Sequence, residues 1–443
     1  MVQTINITTL SIATWIAISS LGNQALAANV KHIKQLFDTG ACTACDLREA
    51  KLKGSKLRGV KLDGANLYAA DLRDVDFTDA NLGGANLENA NLRKTKFGGA
   101  NLFRAVLKNA NLQEANLDKA KLSGAILQLA NLNKAQLLEA DLNKANLQSA
   151  NLQLANLKNA QLTEANLEGA NFFEANLERV TLKGANLIGA NFGSANLTRA
   201  DFRATKISSE TVLDPKWILV RELVTQRVEG RNLAKADLAG ANLQGVNLEG
   251  VNLQEANLQG AYLFIVNLRG VNLSKINLSN AEIHYTEFKN ANLNGANLSN
   301  SDLRDTDLSN TSLLEANLSN AKLANVNLEG ADLKNVNLTG AIIKSGTIMN
   351  DKWRIVWEII NRGAEGRNLS NADLSNVNLK GANLKKASLF KTNLQGTNLS
   401  GANLEGANLA EANLIGANIE GANLNLANLC GATMPNGTQQ TCK

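Results

Sequence analysis

The stretch from Ala155 to Leu187, ANLKNAQLTEANLEGANFFEANLERVTLKGANL, carries an apolar residue at every fifth position: Leu157, Leu162, Leu167, Phe172, Leu177, Leu182 and Leu187. A small residue, usually Ala, stands two places before each of them, and a polar residue, most often Asn, stands between. On an α-helix a step of five is far from a whole number of turns, so these residues would wind round every side and leave no apolar stripe. On a straight strand an odd spacing sends successive residues to opposite faces. A chain with this period must turn a corner once per repeat.

Each repeat therefore reads as three extended residues and a corner. With the apolar centre called i, the small residue at i−2 and the centre point inward, the Asn or Asp at i−1 points outward, and i+1 and i+2 make the turn. Gly or Asn often fills i+2, as at Gly64, Asn89, Gly99 and Asn109, and both residues suit turns with positive φ. Lys, Glu and Arg also occur there, from which the sequence predicts that no one turn type serves every corner. Successive coils should pair through backbone hydrogen bonds about 4.8 Å apart.

The recurring pattern A(N/D)LXX resembles the pentapeptide-repeat family. That resemblance implies a right-handed quadrilateral β-helix, an all-β solenoid with four of the five-residue repeats in each coil, over nearly the whole of the chain after its first residues. Phe97 follows Phe77, and Phe192 follows Phe172, at an interval of four repeats, so coils of that length would stack each pair of rings. Repeat centres run from Leu47 to Val212, from Leu233 to Ile348 and from Leu369 to Met434, 72 in all. Eighteen coils at about 4.8 Å make a rod of roughly 86 Å. Side chains fill its interior, so function is expected on the outer surface or at the departures from the repeat.

The reading divides the chain into a signal peptide (1–27), an N-terminal helical cap (28–46), repeat block 1 (47–212), a helical insert (213–231), block 2 (232–348), a second insert (349–367), block 3 (368–434) and a tail (435–443). The segment 1–27 holds no charged side chain, and the apolar run INITTLSIATWIAISSLG precedes Ala25-Leu26-Ala27. This is the pattern of an export signal cleaved before Ala28, with an uncleaved membrane anchor as the alternative. Export would place the protein in the periplasm or thylakoid lumen.

The two inserts match each other, DPKWILVRELVTQRVEGRNL (Asp214–Leu233) and NDKWRIVWEIINRGAEGRNL (Asn350–Leu369). Trp217, Val220 and Val224, and Trp353, Val356, Trp357 and Ile360, fall at helical spacing. Twenty-six residues separate Ile207 from Leu233, and Ile343 from Leu369, so each insert slips the five-residue frame by one. Trp217, Trp353 and Trp357 are either docking anchors for a partner or the apolar face that joins two rod segments. In the cap, Val30, Ile33, Leu36 and Phe37 lie at helical spacing and are expected to cover the first coil.

Cys42, Cys45, Cys430 and Cys442 are the only cysteines and sit at the two ends. Opposite ends of a rod cannot share a metal site, and the βαβ setting of a redox CxxC is missing. One disulfide at each end, Cys42–Cys45 and Cys430–Cys442, is the expectation for an exported chain. LCGATMPNGT near the C-terminus resembles a terminal segment common in the family.

Two surface groups stand out. Lys51, Lys53, Lys56, Arg58 and Lys61 follow one another with no acid between, either a contact for anionic lipid or polymer or a solvated rim. Tyr262, Phe264 and Ile265 precede His284 and Tyr285 by about one coil. Coils of four repeats would stack Phe264 on His284 and Ile265 on Tyr285 as a contact patch.

Catalysis is not expected. His32 and His284 are the only histidines, and no phosphate-binding loop, nucleophile elbow or metal-ligand spacing occurs; no cofactor or metal is implied. Family members that protect DNA gyrase by imitating DNA need a strongly negative surface, whereas this chain of 443 residues carries a net charge of +5. Mixed outward Asn, Gln, Lys, Glu and Ser do not make the flat Thr arrays of ice-binding solenoids. A scaffold for an unidentified protein partner remains, or a binder of anionic envelope lipid or polymer; the mild basicity does not mark a nucleic-acid binder.

Overall fold

A computed structural model describes residues 29–442; the expected export signal lies outside the described residues. The repeat centred on Leu112 shows how five residues close a corner. Leu112 N–H donates to the Asn131 carbonyl (2.7 Å) and Glu114 N–H to the Asn133 carbonyl (3.0 Å), both in the next coil. Asn111 N–H donates back to Ala90 in the preceding coil (2.9 Å), and Ala115 N–H closes the turn on Leu112 (2.9 Å). The remaining N–H, that of Gln113, donates to the Asn111 side-chain Oδ1 (3.2 Å). The side chain at i−1 thus satisfies the one backbone donor the ladder leaves over, an Asx turn, which is the physical reason for Asn and Asp at that position.

Asn111 faces Asn131 in a parallel bridge, and the same offset recurs along all the blocks. Four five-residue repeats therefore make each coil. The inward residues are sealed: Leu112 and Ala115 have no exposed surface, and the same holds for most centres. Phe77 stacks on Phe97 (5.5 Å) and Phe172 on Phe192 (4.9 Å), as coils of this length require. Each buried Leu contributes about 1.5–3 kcal/mol, offset in large part by the ordering of its backbone.

One expectation about the corners fails. Glu114 has φ 58°, Lys134 60° and Arg179 57°, indistinguishable from Gly64 at 61°. One turn, left-handed at its third residue as in type II, serves charged residues and glycines alike. Interstrand bonding on both sides of the corner holds the backbone there whatever the side chain.

Helix α1 (Val30–Thr39) is capped by Asn29, whose side chain accepts from Lys31 and His32 N–H, and ends at Gly40 with φ 66°. Leu36 is its only buried residue. Ile33 packs half-buried beside it, while Val30 and Phe37 are exposed; the covering face is narrower than the spacing suggests. Beneath it Cys42 and Cys45, both buried, are disulfide-bonded across the first turn.

Helices α2 (Pro215–Thr225) and α3 (Asp351–Arg362) occupy the two inserts. The frame slip lies ahead of them, not within them. Val212 and Ile348 are outward and about half exposed, and Leu213 and Met349 turn to the column instead. Six residues, not five, separate Ile207 from Leu213, and the extra one is absorbed at Thr211. Its Oγ donates to the Leu187 carbonyl (2.9 Å) and accepts from Ser208 N–H (3.1 Å). Thr347 does the same with Leu323 and Lys344. The repeats also resume earlier than expected: Arg231 N–H closes a turn on Val228 and Arg367 N–H one on Ala364, and both Val228 and Ala364 are buried. Each helix therefore stands in for about two repeats.

With those repeats missing, consecutive blocks meet directly on one face. Arg199 N–H donates to the Gly240 carbonyl (2.6 Å), and Asn335 N–H to that of Asn376 (3.0 Å). On the adjoining side Trp217, Val220 and Leu223 of α2, and Trp353, Val356 and Ile359 of α3, are buried against the column. At the far end Ile419, Leu424 and Leu429 are only partly buried. The tail folds back over one side, with Gly431 N–H donating to Gln440 (2.9 Å) and Cys430 bonded to Cys442. Among the described residues no helix is long and apolar enough to cross a membrane.

Candidate interaction face

In block 2 two repeats depart from the common corner and pair as strands β1 (Tyr262–Phe264) and β2 (Glu282–His284), with Phe264 opposite His284. The expected column is present, with Phe264 and His284 in register, and further ring contacts join it. Phe264 meets the edge of Tyr285 (5.5 Å, T-shaped), and Tyr262 stacks on Phe264 (6.1 Å). Ring edges prefer ring faces, which suits the approach of Tyr285 to Phe264. Ile265 and Tyr285 stay open to solvent at 58% and 55% exposure. Where most corners close by a backbone bond, the Thr286 hydroxyl donates to the Leu263 carbonyl (3.0 Å) and Thr306 to that of Ile283 (3.0 Å).

Beside these rings lies an open groove of about 410 Å³, lined among others by Glu282, His284, Asp302, Arg304 and Lys322. Asp302 organises it. Its carboxylate accepts from Arg304 Nε (2.7 Å) and Nη2 (2.9 Å) and from Lys322 Nζ (3.2 Å), and His284 Nε2 lies 3.7 Å away. Burial opposes ionisation of Asp302, yet Arg304 and Lys322 outweigh it and hold the carboxyl below its ordinary range. Glu282 is held low in the same manner: burial opposes its charge, and Arg199 and Arg179 restore it. Both arginines come from block 1. Residue spacing exposes the Glu282–Asp302–Lys322 column, which follows the coil period; the arginines are 83 and 103 residues from Glu282 and lie outside any periodic signal.

The tryptophans are placed differently from anchors. Trp217 is 8% exposed and lies 6.3 Å from Phe202, and Trp353 is 9% exposed. Trp357 is half-buried and donates its Nε1–H to the Ala341 carbonyl (2.7 Å). All three belong to the junctions, because the broken coil leaves an apolar end that these rings cover.

Lys51, Lys53, Lys56, Arg58 and Lys61 are all exposed, but they point from three successive sides of the first coils. The next coil brings acids to them: Lys51 pairs in the ladder with Asp71 and Lys56 with Asp76, and Arg58 lies 3.8 Å from Asp79. A basic column does form on one side, where Lys53, Arg73, Arg93 and Lys94 line a depression of about 150 Å³ together with Asp74. Arg73 is bound to Asp71 (2.7 Å) and Arg93 to Glu114 (3.2 Å). Arg73, Arg93 and Lys94 escaped the sequence reading, although the coil period aligns the arginines with Lys53. Among the described residues no group of His, Cys, Asp and Glu stands close enough to hold a metal ion.

The pentapeptide repeats family model matches residues 42–209, 232–264, 266–340 and 368–436. Among solved structures, HetL, a pentapeptide repeat protein involved in heterocyst differentiation regulation from Nostoc sp. strain PCC 7120, is 22% identical over 93% of this chain and 99% of its own, with a TM-score of 0.15. A pentapeptide repeat protein of the Arabidopsis thaliana thylakoid lumen is 20% identical over 32% of this chain and 81% of its own, TM-score 0.20. Rfr23 of Cyanothece 51142 is 23% identical over 42% of this chain and 98% of its own, TM-score 0.12. No curated relative matches the chain. The repeat, its bonding and the extent of the family match agree, and the chain belongs to the pentapeptide repeat family, whose fold is the right-handed quadrilateral β-helix.

Proposed function

We propose that this protein is a non-enzymatic, exported scaffold, a stiff column that offers a protein partner the face built by Tyr262, Phe264, Ile265, His284 and Tyr285. The observation that carries the reading is the pair of open apolar side chains, Ile265 and Tyr285, beside an ordered aromatic cluster and a charged groove. Aromatic anchors rimmed by polar groups are the usual make-up of a contact surface. The filled interior and the family's general character support a role without catalysis. Two disulfides fit an oxidising compartment, the periplasm or thylakoid lumen. The test is crosslinking in the exported fraction, comparing the unaltered chain with Ile265→Ser plus Tyr285→Ser. Loss of one discrete crosslinked species supports the reading, and an unchanged pattern in the folded variant refutes it.

A second reading rests on the basic column of Lys53, Arg73, Arg93 and Lys94, with Lys51, Lys56, Arg58 and Lys61 around it: contact with anionic lipid or polymer. Retention on vesicles containing phosphatidylglycerol should weaken steeply with salt and fall with Lys51→Glu plus Lys53→Glu. Equal retention on neutral vesicles would exclude it.

A further inference from the structure

The two junctions are copies of one design. Lys216 pairs with Asp237 (3.3 Å) as Lys352 does with Asp373 (2.8 Å). Glu222 pairs with Arg231 (2.8 Å) as Glu358 does with Arg367 (2.6 Å). Trp217 and Trp353 are buried alike, and one backbone bond closes each junction at Arg199 or Asn335. They differ in how α3 holds the block before it, with Trp357 donating to the Ala341 carbonyl (2.7 Å) and Asn361 to that of Leu338 (3.1 Å) where α2 has Arg221 donating to Thr205 (2.9 Å), and they differ in the direct contact between blocks. At the first, Arg199 donates its Nε–H to the Gly260 carbonyl (2.8 Å) and pairs through Nη1 with Glu282, and Arg179 reaches the same carboxylate (3.0 Å). The corresponding residues at the second are Asn335, Gly396, Asn418 and Glu315. An asparagine is too short to cross, and Glu315 has no cation at residue 418 to meet.

We infer that the Arg179–Arg199–Glu282 strap clamps blocks 1 and 2 into one rigid body, and that the rod bends at the second junction, where the strap is missing. The Arg199 side chain is only 12% exposed, so its link to Glu282 is partly shielded from solvent, while Glu282 and Arg179 are 37% and 47% exposed and their pair is screened as surface pairs are. The strap also spans beyond the nearest coil: Gly260 and Glu282 lie one and two coils past the Gly240 contact. A tie of that reach joins block 1 to block 2 directly and resists tilting, whereas blocks 2 and 3 touch directly through the one backbone bond at Asn335 and are otherwise joined by way of α3. Hinges need few residues with weak cross-contacts, and the direct contact between blocks 2 and 3 has that character. Glu282 also lines the groove of the interaction face, so the clamp fixes the position of that face relative to block 1. The inference does not depend on what the face binds.

Pulsed electron paramagnetic resonance on the full chain tests it. The described residues hold no free cysteine, so spin labels can be placed at Leu154→Cys with Asn320→Cys across the first junction, and at Asn320→Cys with Gln395→Cys across the second. The expected result is a narrow distance distribution across the first junction and a broad one across the second. Glu282→Gln should broaden the first to the width of the second and leave the second unchanged. Grafting the strap as Glu315→Arg, Asn335→Arg and Asn418→Glu should narrow the second. Equal widths in the unaltered protein, or a first distribution that Glu282→Gln leaves narrow while circular dichroism shows the fold intact, would overturn the inference.

Discussion

The Trp217 ring lies 6.3 Å from the Phe202 ring, stacked over the last inward aromatic of block 1. A repeat column has no natural end; wherever the coil breaks, an apolar cross-section is left open. Trp217, with Val220 and Leu223, closes that cross-section and supplies a floor for block 2. The same arrangement at Trp353, Val356 and Ile359 makes the helices internal caps shared by the blocks on either side.

Removing that ring should uncouple the blocks. Trp217→Ala is expected to cost about 3–5 kcal/mol, the range for a large buried aromatic. Because stability in a solenoid is local, urea unfolding should change from one transition to two, with hydrogen exchange rising around the first junction and unchanged in block 3. A single uniform shift of the whole curve would contradict this account.

Acid should weaken the second junction. Burial opposes ionisation of Asp373, but Lys352 and Ser375 overcome it and bring the carboxyl down to about 2. A carboxylate lowered in the folded state adds stability above its unfolded value of about 3.9 and loses it as pH falls through the folded one. The difference in urea midpoint between the unaltered chain and Lys352→Met should therefore be constant near neutrality and shrink between pH about 4 and about 2. A difference that persists below that window would assign Lys352 a packing role alone.

Corner residues offer a test of the turn. Lys134 sits at φ 60°, where a side chain costs about 1–2 kcal/mol relative to glycine, offset by about 0.5–1 kcal/mol for the greater freedom of glycine when unfolded. Lys134→Gly should thus gain roughly 0.5–1 kcal/mol, and Lys134→Val, branched at Cβ, should lose stability. Chemical denaturation of the two variants side by side gives the order, and a more stable Val variant would rule out the left-handed corner.

Reduction of the Cys430–Cys442 bond should act on the last coil only. Cys430 and Cys442 close a loop of sequence separation 12, and such a closure is worth about 3 kcal/mol in the chain-entropy account. The partly buried last coil around Leu424 and Leu429 should exchange its amides faster after dithiothreitol treatment, with the middle of block 1 unaffected. Exchange that rises evenly along the chain would show that the bond supports more than its own coil.

Sequence and structure divide unevenly here. Leu at i, Ala at i−2 and Asn at i−1 specify the coil, because away from the junctions the backbone hydrogen bonds of a repeat involve residues of its own five or those one coil away. The paired disulfides and the apolar helical faces at Trp217 and Trp353 were legible for the same reason: local spacing carries them. What the period could not carry, the fold decided. The sixth residue at Thr211 moved the inward position from Val212 to Leu213, since only the register of the neighbouring coil selects which of two apolar residues turns inside. The acids that meet Lys51 and Arg58, the edge-on contact of Tyr285 with Phe264, and above all the meeting of Arg199 with Glu282 required coils to be stacked and blocks to be joined. One-dimensional repetition fixes each layer; the charges and rings that could act on another molecule are brought together only when the layers close on one another in space.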